Sequence, residues 1–151
     1  MIAYPDTSFL CALYRKQEDQ SARAAAYFKK MTEPLHATAA LLFEFRQSIR
    51  LHHYFGVSGA VKGIGGMDAR KSLQTLDSDL ETGVIVIVPV DWPDVWSIAE
   101  RLSSRHTISE GYRAMDILHV ATALHLGAWK FLTFDTKQAK LAKAEGLTLL
   151  L

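Results

Sequence analysis

Residues 113–146 have the sequence RAMDILHVATALHLGAWKFLTFDTKQAKLAKAEG, and their order of helix, strand and helix indicates the fold class. Its first part, residues 113–126, favours a helix, and the run Lys-Phe-Leu-Thr-Phe at residues 130–134 favours a strand. Asp135 then begins a second helix as its N-cap, with a glutamine at the capping-box position and a closing glycine as the stop signal. The alternation of helices and strands is the pattern of an α/β fold.

The rest of the chain shows the same alternation of strands and helices. A run of β-branched residues at 84–88 predicts a strand that is buried on both faces of a sheet. Alternating strands and helices predict a largely parallel sheet that helices cover on both faces. Further strands are predicted at residues 2–4, 35–37 and 148–151, and further helices at residues 9–14, 18–31, 39–55, 67–81 and 93–104.

Length and composition predict one soluble domain over residues 1–151. The hydrophobic share of 49% and the charged share of 22% are ordinary for a globular protein. A net charge of +1 argues against binding nucleic acid through bulk charge, so any such contact requires a local patch. The single cysteine, Cys11, excludes an intrachain disulfide and a cysteine-based zinc site.

The same sequence gives no sign of a membrane or secretory segment. The longest apolar run, residues 84–90, is far shorter than the roughly 20 residues of a membrane helix. Residues 1–6 lack the basic start of a signal peptide, and Asp6 interrupts them. We therefore expect a cytoplasmic protein without a membrane partner.

Four acidic side chains are the candidates for chemistry. Asp6 and Asp135 each follow a predicted strand directly, and ligands of parallel sheets bind beyond the carboxyl ends of the strands. Glu44 and Asp116 lie on predicted helices that can lean over the same edge. At about 4 Å and an effective dielectric of 20, two carboxylates repel by roughly 4 kcal/mol, so we expect a divalent cation among them. Ligands that are all oxygen favour Mg²⁺ or Mn²⁺ over zinc.

Three of the four carboxylates also have a structural explanation, which the sequence leaves open. Asp6 and Asp135 suit helix N-caps, and Asp116 suits the first turn of a helix, where a negative charge favours the helix dipole. Glu44 is harder to explain in this way, because it lies within the apolar run at residues 41–45. Carboxylates are rarely buried unless they are paired or bind a metal.

The sequence carries Asp-Thr-Ser at residues 6–8, Glu44 in an apolar helix, Asp-x-Leu-His-x-Ala-x-Ala at residues 116–123 and Leu-Thr-Phe-Asp at residues 132–135. Together these motifs resemble PIN-domain ribonucleases. Within that family the match is closest to the VapC-type toxins of bacterial and archaeal toxin–antitoxin modules. The resemblance spans essentially the whole chain.

The resemblance implies a three-layer sandwich whose central, mainly parallel sheet of four to five strands is flanked by helices. It implies metal-dependent endonucleolytic cleavage of RNA, with Mg²⁺ or Mn²⁺ as cofactor. The implied catalytic and metal-binding residues are Asp6, Glu44, Asp116 and Asp135. The implied partners are the RNA substrate, a second copy in a homodimer, and a cognate antitoxin whose C-terminal segment covers the active-site groove. The glycine-rich segment Gly56–Gly66 is longer than the family pattern, which leaves the groove shape and the RNA target open.

Other polar residues are candidates for supporting roles. Thr7, Ser8 and Thr133 lie beside the carboxylates and can bond a metal-bound water or a phosphate, or act as caps and strand-end turns. We interpret His119 as a structural histidine in a packing motif. The candidates for RNA contacts, each equally explained as solvated surface, are Arg46, Arg50, Lys62, Arg70 and Lys71.

Other functions are less consistent with the sequence. A catalytically inactive PIN-like module that binds RNA or a protein is the main alternative, and the complete set of four carboxylates argues against it. A phosphatase with Asp6 as nucleophile requires a second acid two residues later, where Ser8 stands. A serine hydrolase is excluded because no Gly-x-Ser-x-Gly motif occurs.

Overall fold

Five short strands form the centre of the fold in the residues that the computed structural model describes, 1–16, 18–59 and 63–150. Parallel ladders join β1 to β4, β4 to β5, and β2 to β3, and β2 also lies beside β1. The order across the centre is therefore β3-β2-β1-β4-β5. The strands are β1 (Ala3–Pro5), β2 (Leu35–Ala37), β3 (Ile85–Ile87), β4 (Lys130–Leu132) and β5 (Thr148–Leu149).

Helices connect the strands, as parallel neighbours require a crossover between them. The α/β class predicted from the sequence is confirmed. No helix in the described ranges combines the length and the apolar character needed to span a bilayer. The helices are α1 (Thr7–Tyr14), α2 (Ser21–Phe28), α3 (Ala39–Val57), α4 (Gly66–Glu81), α5 (Trp92–Glu110), α6 (Ala114–His125) and α7 (Thr136–Ala144).

The prediction that residues 84–88 are buried on both faces was wrong. Strand β3 covers only residues 85–87, and Ile87 is 57% exposed while Ile85 is buried. The reason is its place in the sheet, because β3 has a single hydrogen-bonded partner, β2, and forms an edge. A β-branched composition fits both a central and an edge strand, so it does not report the number of neighbours.

Several element boundaries also differ from the prediction. Helix α5 runs to Glu110, six residues beyond the predicted end, and Gly111 then ends it in the left-handed conformation with φ 68°. Strand β4 ends at Leu132, because the backbone N–H of Phe134 donates to Ser8 Oγ (2.9 Å) and leaves the ladder. The capped start of α7 at Asp135 is confirmed.

The pairing of β1 with β4 places two candidate residues at one edge of the sheet. Pro5 lies opposite Leu132 at the carboxyl ends of the two strands. The backbone N–H of Asp6 donates to the Leu132 carbonyl (3.0 Å), which extends the contact by one residue. Asp6 and Thr133 therefore leave the sheet side by side, whereas the sequence predicts Asp135 in the position directly after the strand, because the predicted strand extends to residue 134.

The side chain of Glu145, directly after α7, connects that helix to α5 through a hydrogen bond and ion pairs. The Glu145 carboxylate, 7% exposed, accepts from His106 Nε2 (2.7 Å) and Arg105 Nη1 (3.2 Å), with Arg101 Nη1 at 3.7 Å. Burial alone raises the pKa of Glu145, but the His106 bond and the two arginine charges outweigh it and lower the pKa below its ordinary value.

We expect Glu145→Gln to lower the free energy of unfolding by about 1–3 kcal/mol at neutral pH, because charge-assisted bonds are lost. A lowered carboxyl pKa stabilises the fold above the ordinary value of 4.5, and this stability is lost as the pH falls through the folded-state pKa. The difference from the parent should therefore shrink in urea unfolding at pH 3. An equal deficit at pH 7 and pH 3 would contradict an ionic origin.

Candidate active site

Asp6 is fully buried at the start of α1, where it acts as the N-cap. Its Oδ1 accepts from the backbone N–H of Phe9 (2.9 Å) and from Ser8 Oγ (2.7 Å), and its Oδ2 accepts from Thr133 Oγ1 (2.5 Å). Burial raises the pKa of Asp6, and it outweighs the hydrogen bonds that lower it. The carboxylate is held rigidly but is poorly compensated for its charge, which a neighbouring cation would offset.

Glu44 extends from α3 towards the same hydroxyl-bearing turn. Its Oε2 accepts from Thr7 Oγ1 and lies 2.5 Å from His119 Nε2. The other ring nitrogen of His119 lies 3.3 Å from the Tyr4 hydroxyl, so the imidazole is fixed from behind. Burial raises the pKa of Glu44, but the bonds from His119 and Thr7 and the charge of Arg113 lower it overall. Glu44 is therefore a charged, oriented carboxylate.

Asp116 lies in the first turn of α6 and is bound on both oxygens by one arginine. Its Oδ2 accepts from the backbone N–H (3.2 Å) and Nε (3.0 Å) of Arg113, and its Oδ1 accepts from Nη2 (3.1 Å). Arg113 Nη2 also lies 4.0 Å from Asp135 Oδ2. These contacts raise the pKa of Arg113 above its ordinary value, and the hydrogen bond to Asp116 makes the largest contribution.

Asp135 caps α7 and keeps one oxygen towards Arg113. Its Oδ1 accepts from the backbone N–H of Gln138 (2.9 Å), as the capping prediction requires. The reciprocal half of the predicted capping box is absent, because Gln138 Oε1 is buried without a hydrogen-bond partner in the described part of the chain. The structural explanations of Asp6, Asp116 and Asp135 are thus correct as descriptions of their local contacts.

One cavity of about 480 Å³ nevertheless brings these residues together. Glu44, Asp116 and Asp135 line it directly, although they are far apart in the sequence. Asp6 is not part of the lining, but its hydrogen-bond donor Ser8 is. The structure therefore places three of the four predicted carboxylates around a shared space and the fourth immediately behind it.

The three predicted supporting hydroxyls connect this cluster. Thr7 bonds Glu44, and Ser8 bonds Asp6. Thr133 donates to Asp6 and accepts from the backbone N–H of residue 135 (2.9 Å). Each hydroxyl thus contacts one of the carboxylates or its backbone, while also shaping a helix start or a strand end.

The predicted RNA contacts lie elsewhere, in so far as the structure describes them. Arg46 pairs with an α4 carboxylate, Asp77 (2.9 Å). Lys62 lies outside the described residues. The remaining candidates are exposed on α3 or α4, and neither they nor Arg46 lines the cavity: Arg50, Arg70 and Lys71.

Among the described residues, the arginines that do line the cavity are Arg15 and Arg113, which we did not single out from the sequence. Arg113 stands three residues before Asp116, a spacing at which helical side chains meet. The Arg113 spacing was therefore a readable signal. Arg15 follows directly after the end of α1, where its extended backbone gives no helical spacing to interpret. The contact of His119 with Glu44 was also missed, since we interpreted that histidine as packing alone.

The donor set fits a divalent cation in its chemistry, because carboxylates and hydroxyls are the ligands of Mg²⁺ and Mn²⁺. Among the residues that the structure describes, however, no three Asp, Glu, His or Cys side chains are spaced to hold an ion as they stand. Arg113 occupies both oxygens of Asp116. Its side chain is 77% exposed, so it can rotate into solvent and release them at little cost.

A family model described as the PIN domain matches residues 3–144. The chain belongs to the PIN domain family. Comparison with the curated proteins gives no match. The family assignment therefore rests on the domain model, and solved structures add the likeness of the fold.

Three solved structures illustrate the fold of this PIN domain. VapC20 of Mycobacterium tuberculosis, described as a toxin that cleaves the sarcin–ricin loop, has a TM-score of 0.69 and 18% identity over 97% of this chain and 96% of that one. FitAcB of Neisseria gonorrhoeae has a TM-score of 0.65 and 21% identity over 99% and 96%. VapBC-1 of nontypeable Haemophilus influenzae has a TM-score of 0.56 and 14% identity over 99% and 96%. At these identities the likeness shows the fold.

Proposed function

We propose that this PIN domain is a Mg²⁺- or Mn²⁺-dependent endoribonuclease and the toxin of a type II toxin–antitoxin pair. One observation carries the proposal. Glu44, Asp116 and Asp135, which come from three separate helix regions, line a single cavity, and Asp6 is bonded to its wall. The similar fold of VapC20, which is described as a toxin that cleaves the sarcin–ricin loop, supports RNA as the substrate.

We assign the four carboxylates to metal binding. Asp6, Glu44 and Asp116 would hold one or two cations, directly or through water, and Asp135 would support the second ion or orient water. A bound Mg²⁺ lowers the pKa of its water and offsets charge on a phosphate. Glu44 is oriented for this role by His119 and Thr7, which bond the same carboxylate oxygen.

The direct test is cleavage of a doubly end-labelled RNA by the purified protein. We expect internal cuts in MgCl₂ or MnCl₂, none in EDTA, and products with a 5′-phosphate and a 3′-hydroxyl. A DNA of the same sequence is the control for RNA preference. Undiminished cutting in EDTA, or no cutting in any divalent metal, would count against the proposal.

Arg113 should compete with the cation for Asp116, because it binds both carboxylate oxygens. We therefore expect Arg113→Ala to bind Mn²⁺ more tightly, with a midpoint at least about twofold lower, because even a fully exposed ion pair contributes roughly 0.5 kcal/mol and Asp116 is only 4% exposed. Calorimetric titration measures this midpoint. Arg50→Ala, an exposed arginine outside the cavity, is the control. Weaker Mn²⁺ binding by Arg113→Ala would mean that the arginine supports the site.

A catalytically inactive PIN-like module that binds RNA or a protein is the second candidate. It is favoured by the bidentate contact of Arg113 with Asp116 and by the absence of a ready three-ligand group among the described residues. In that case Mg²⁺ and Mn²⁺ would leave the melting temperature unchanged.

The proposed partners follow from the proposal that the protein is a toxin. We propose that a cognate antitoxin covers the carboxylate cavity with its C-terminal segment, that the toxin is a homodimer, and that it acts in the cytoplasm. A neighbouring reading frame with a DNA-binding N-terminus and an amphipathic tail would support the antitoxin. Light scattering of the purified chain would give the oligomeric state.

A further inference from the structure

The cavity extends well beyond the carboxylates, along a groove between α1 and α3. Ser8 on α1 and Arg15, the residue directly after α1, line it, and so do Glu44, Ser48 and His52 on α3. The spacings of four and eight residues keep the three α3 side chains on one face. At 1.5 Å per residue, His52 lies about 12 Å along α3 from Glu44.

Arg15 is a buried cation in the lining of this groove. The residue is 8% exposed, and Nη1 contacts Glu18 Oε1 at 2.5 Å. Within the described residues, its Nε is buried and has no hydrogen-bond partner. An unmet buried donor costs about 1–3 kcal/mol, and more when it belongs to a charged group. A solvated surface arginine would avoid this cost, so a buried guanidinium with an unmet donor favours an anionic acceptor in the groove that Arg15 lines.

His52 adds a polar group beside this cation. Its Nδ1 bonds the backbone carbonyl of Ser48 (2.7 Å), which makes Nδ1 the protonated nitrogen. In the neutral ring Nε2 is then an acceptor, suited to a hydroxyl such as that of a ribose. The far end of the groove thus offers a buried guanidinium and a fixed imidazole.

We propose that Arg15 binds a backbone phosphate of the RNA strand next to the scissile one, and so anchors the strand along the groove. The inference rests on the proposed ribonuclease function, because continuity with the carboxylate end is what identifies the strand. Arginine suits phosphate since its N–H groups form a fixed fork. Glu18 holds the guanidinium in the free protein and competes with the phosphate for it.

The test measures binding rather than cleavage. A fluorescent single-stranded RNA is titrated with the Asp116→Asn protein, alone and combined with Arg15→Gln or Glu18→Gln, at several salt concentrations. We expect Arg15→Gln to weaken binding about tenfold and to reduce the salt slope by about one phosphate contact. Glu18→Gln should tighten binding, because the competing carboxylate is gone. Arg101→Gln, an exposed arginine on α5 outside the cavity, should change neither quantity.

Arg15→Gln and Glu18→Gln are expected to change the RNA affinity in opposite directions, and this difference distinguishes phosphate binding from a purely structural pairing. If Arg15 and Glu18 form only a stabilising pair, both changes would lower the melting temperature and neither would alter the salt slope. Unchanged affinity and slope in Arg15→Gln, or weaker binding in Glu18→Gln, would overturn the phosphate site while the nuclease proposal stands. No RNA binding by the Asp116→Asn parent would overturn the proposed function, and the phosphate site with it.

Discussion

Asp116→Asn is expected to reduce RNA cleavage by more than about a hundredfold and to leave the protein folded. Losing a residue that only supports a metal ligand typically costs 10–100-fold, and Asp116 is proposed as a ligand itself. Asparagine keeps an oxygen that can accept from the backbone N–H of Arg113, which caps α6. The lost charge at the helix start costs only about 0.3–1 kcal/mol. Initial rates on labelled RNA at saturating Mg²⁺ measure the effect.

Asp94→Asn is the matched control for this change. Asp94 also lies in the first turn of a long helix, α5, and accepts a bond from a histidine, His125 (2.6 Å). It is largely exposed and lies outside the cavity. Its replacement should leave the cleavage rate within about twofold. A similar loss in both variants, or full activity in Asp116→Asn, would contradict a special role for the cavity carboxylate.

Removal of divalent metal is expected to abolish cleavage and to lower the melting temperature. A cation at a hundred times its dissociation constant contributes about 2.7 kcal/mol to the folded state. For a chain of this length that corresponds to roughly 5–10 °C. The gain should be large because a bound cation offsets repulsion among Asp6, Glu44 and Asp116, which Arg113 and His119 relieve in part in the metal-free protein.

Thermal melts in EDTA, and then with MnCl₂ restored, measure this shift. The Asp94→Asn protein should show the full shift and the Asp116→Asn protein little of it. Cleavage that persists after chelation would be incompatible with a metal-dependent mechanism. A shift of equal size in both variants would place the ion elsewhere.

Much of the site geometry could be predicted from the sequence, because it depends on strand ends. Residues that directly follow two parallel strands leave the sheet at one edge, which is how we expected Asp6 and Asp135 to meet; because β4 ends at Leu132, Thr133 takes the position beside Asp6. Glu44 was singled out because a carboxylate within an apolar run needs a partner. Its bonds to Thr7 and His119 are such partners.

The pairing of charges could not be predicted in the same way. Helical spacing shows which side chains share a face, but not which rotamer they adopt or what the facing helix presents. The contacts between Arg113 and Asp116 and between His119 and Glu44 depend on both. The exposure of β3 likewise depends on how many strands lie beside it, which its own composition does not encode.

The most direct measurement is the anomalous scattering of manganese from crystals of the protein grown with MnCl₂. We predict a peak in the carboxylate cavity beside Asp116 and Glu44, with the Arg113 side chain turned away from Asp116. A cavity without a peak at saturating manganese, with Arg113 still bound to Asp116, would contradict the account.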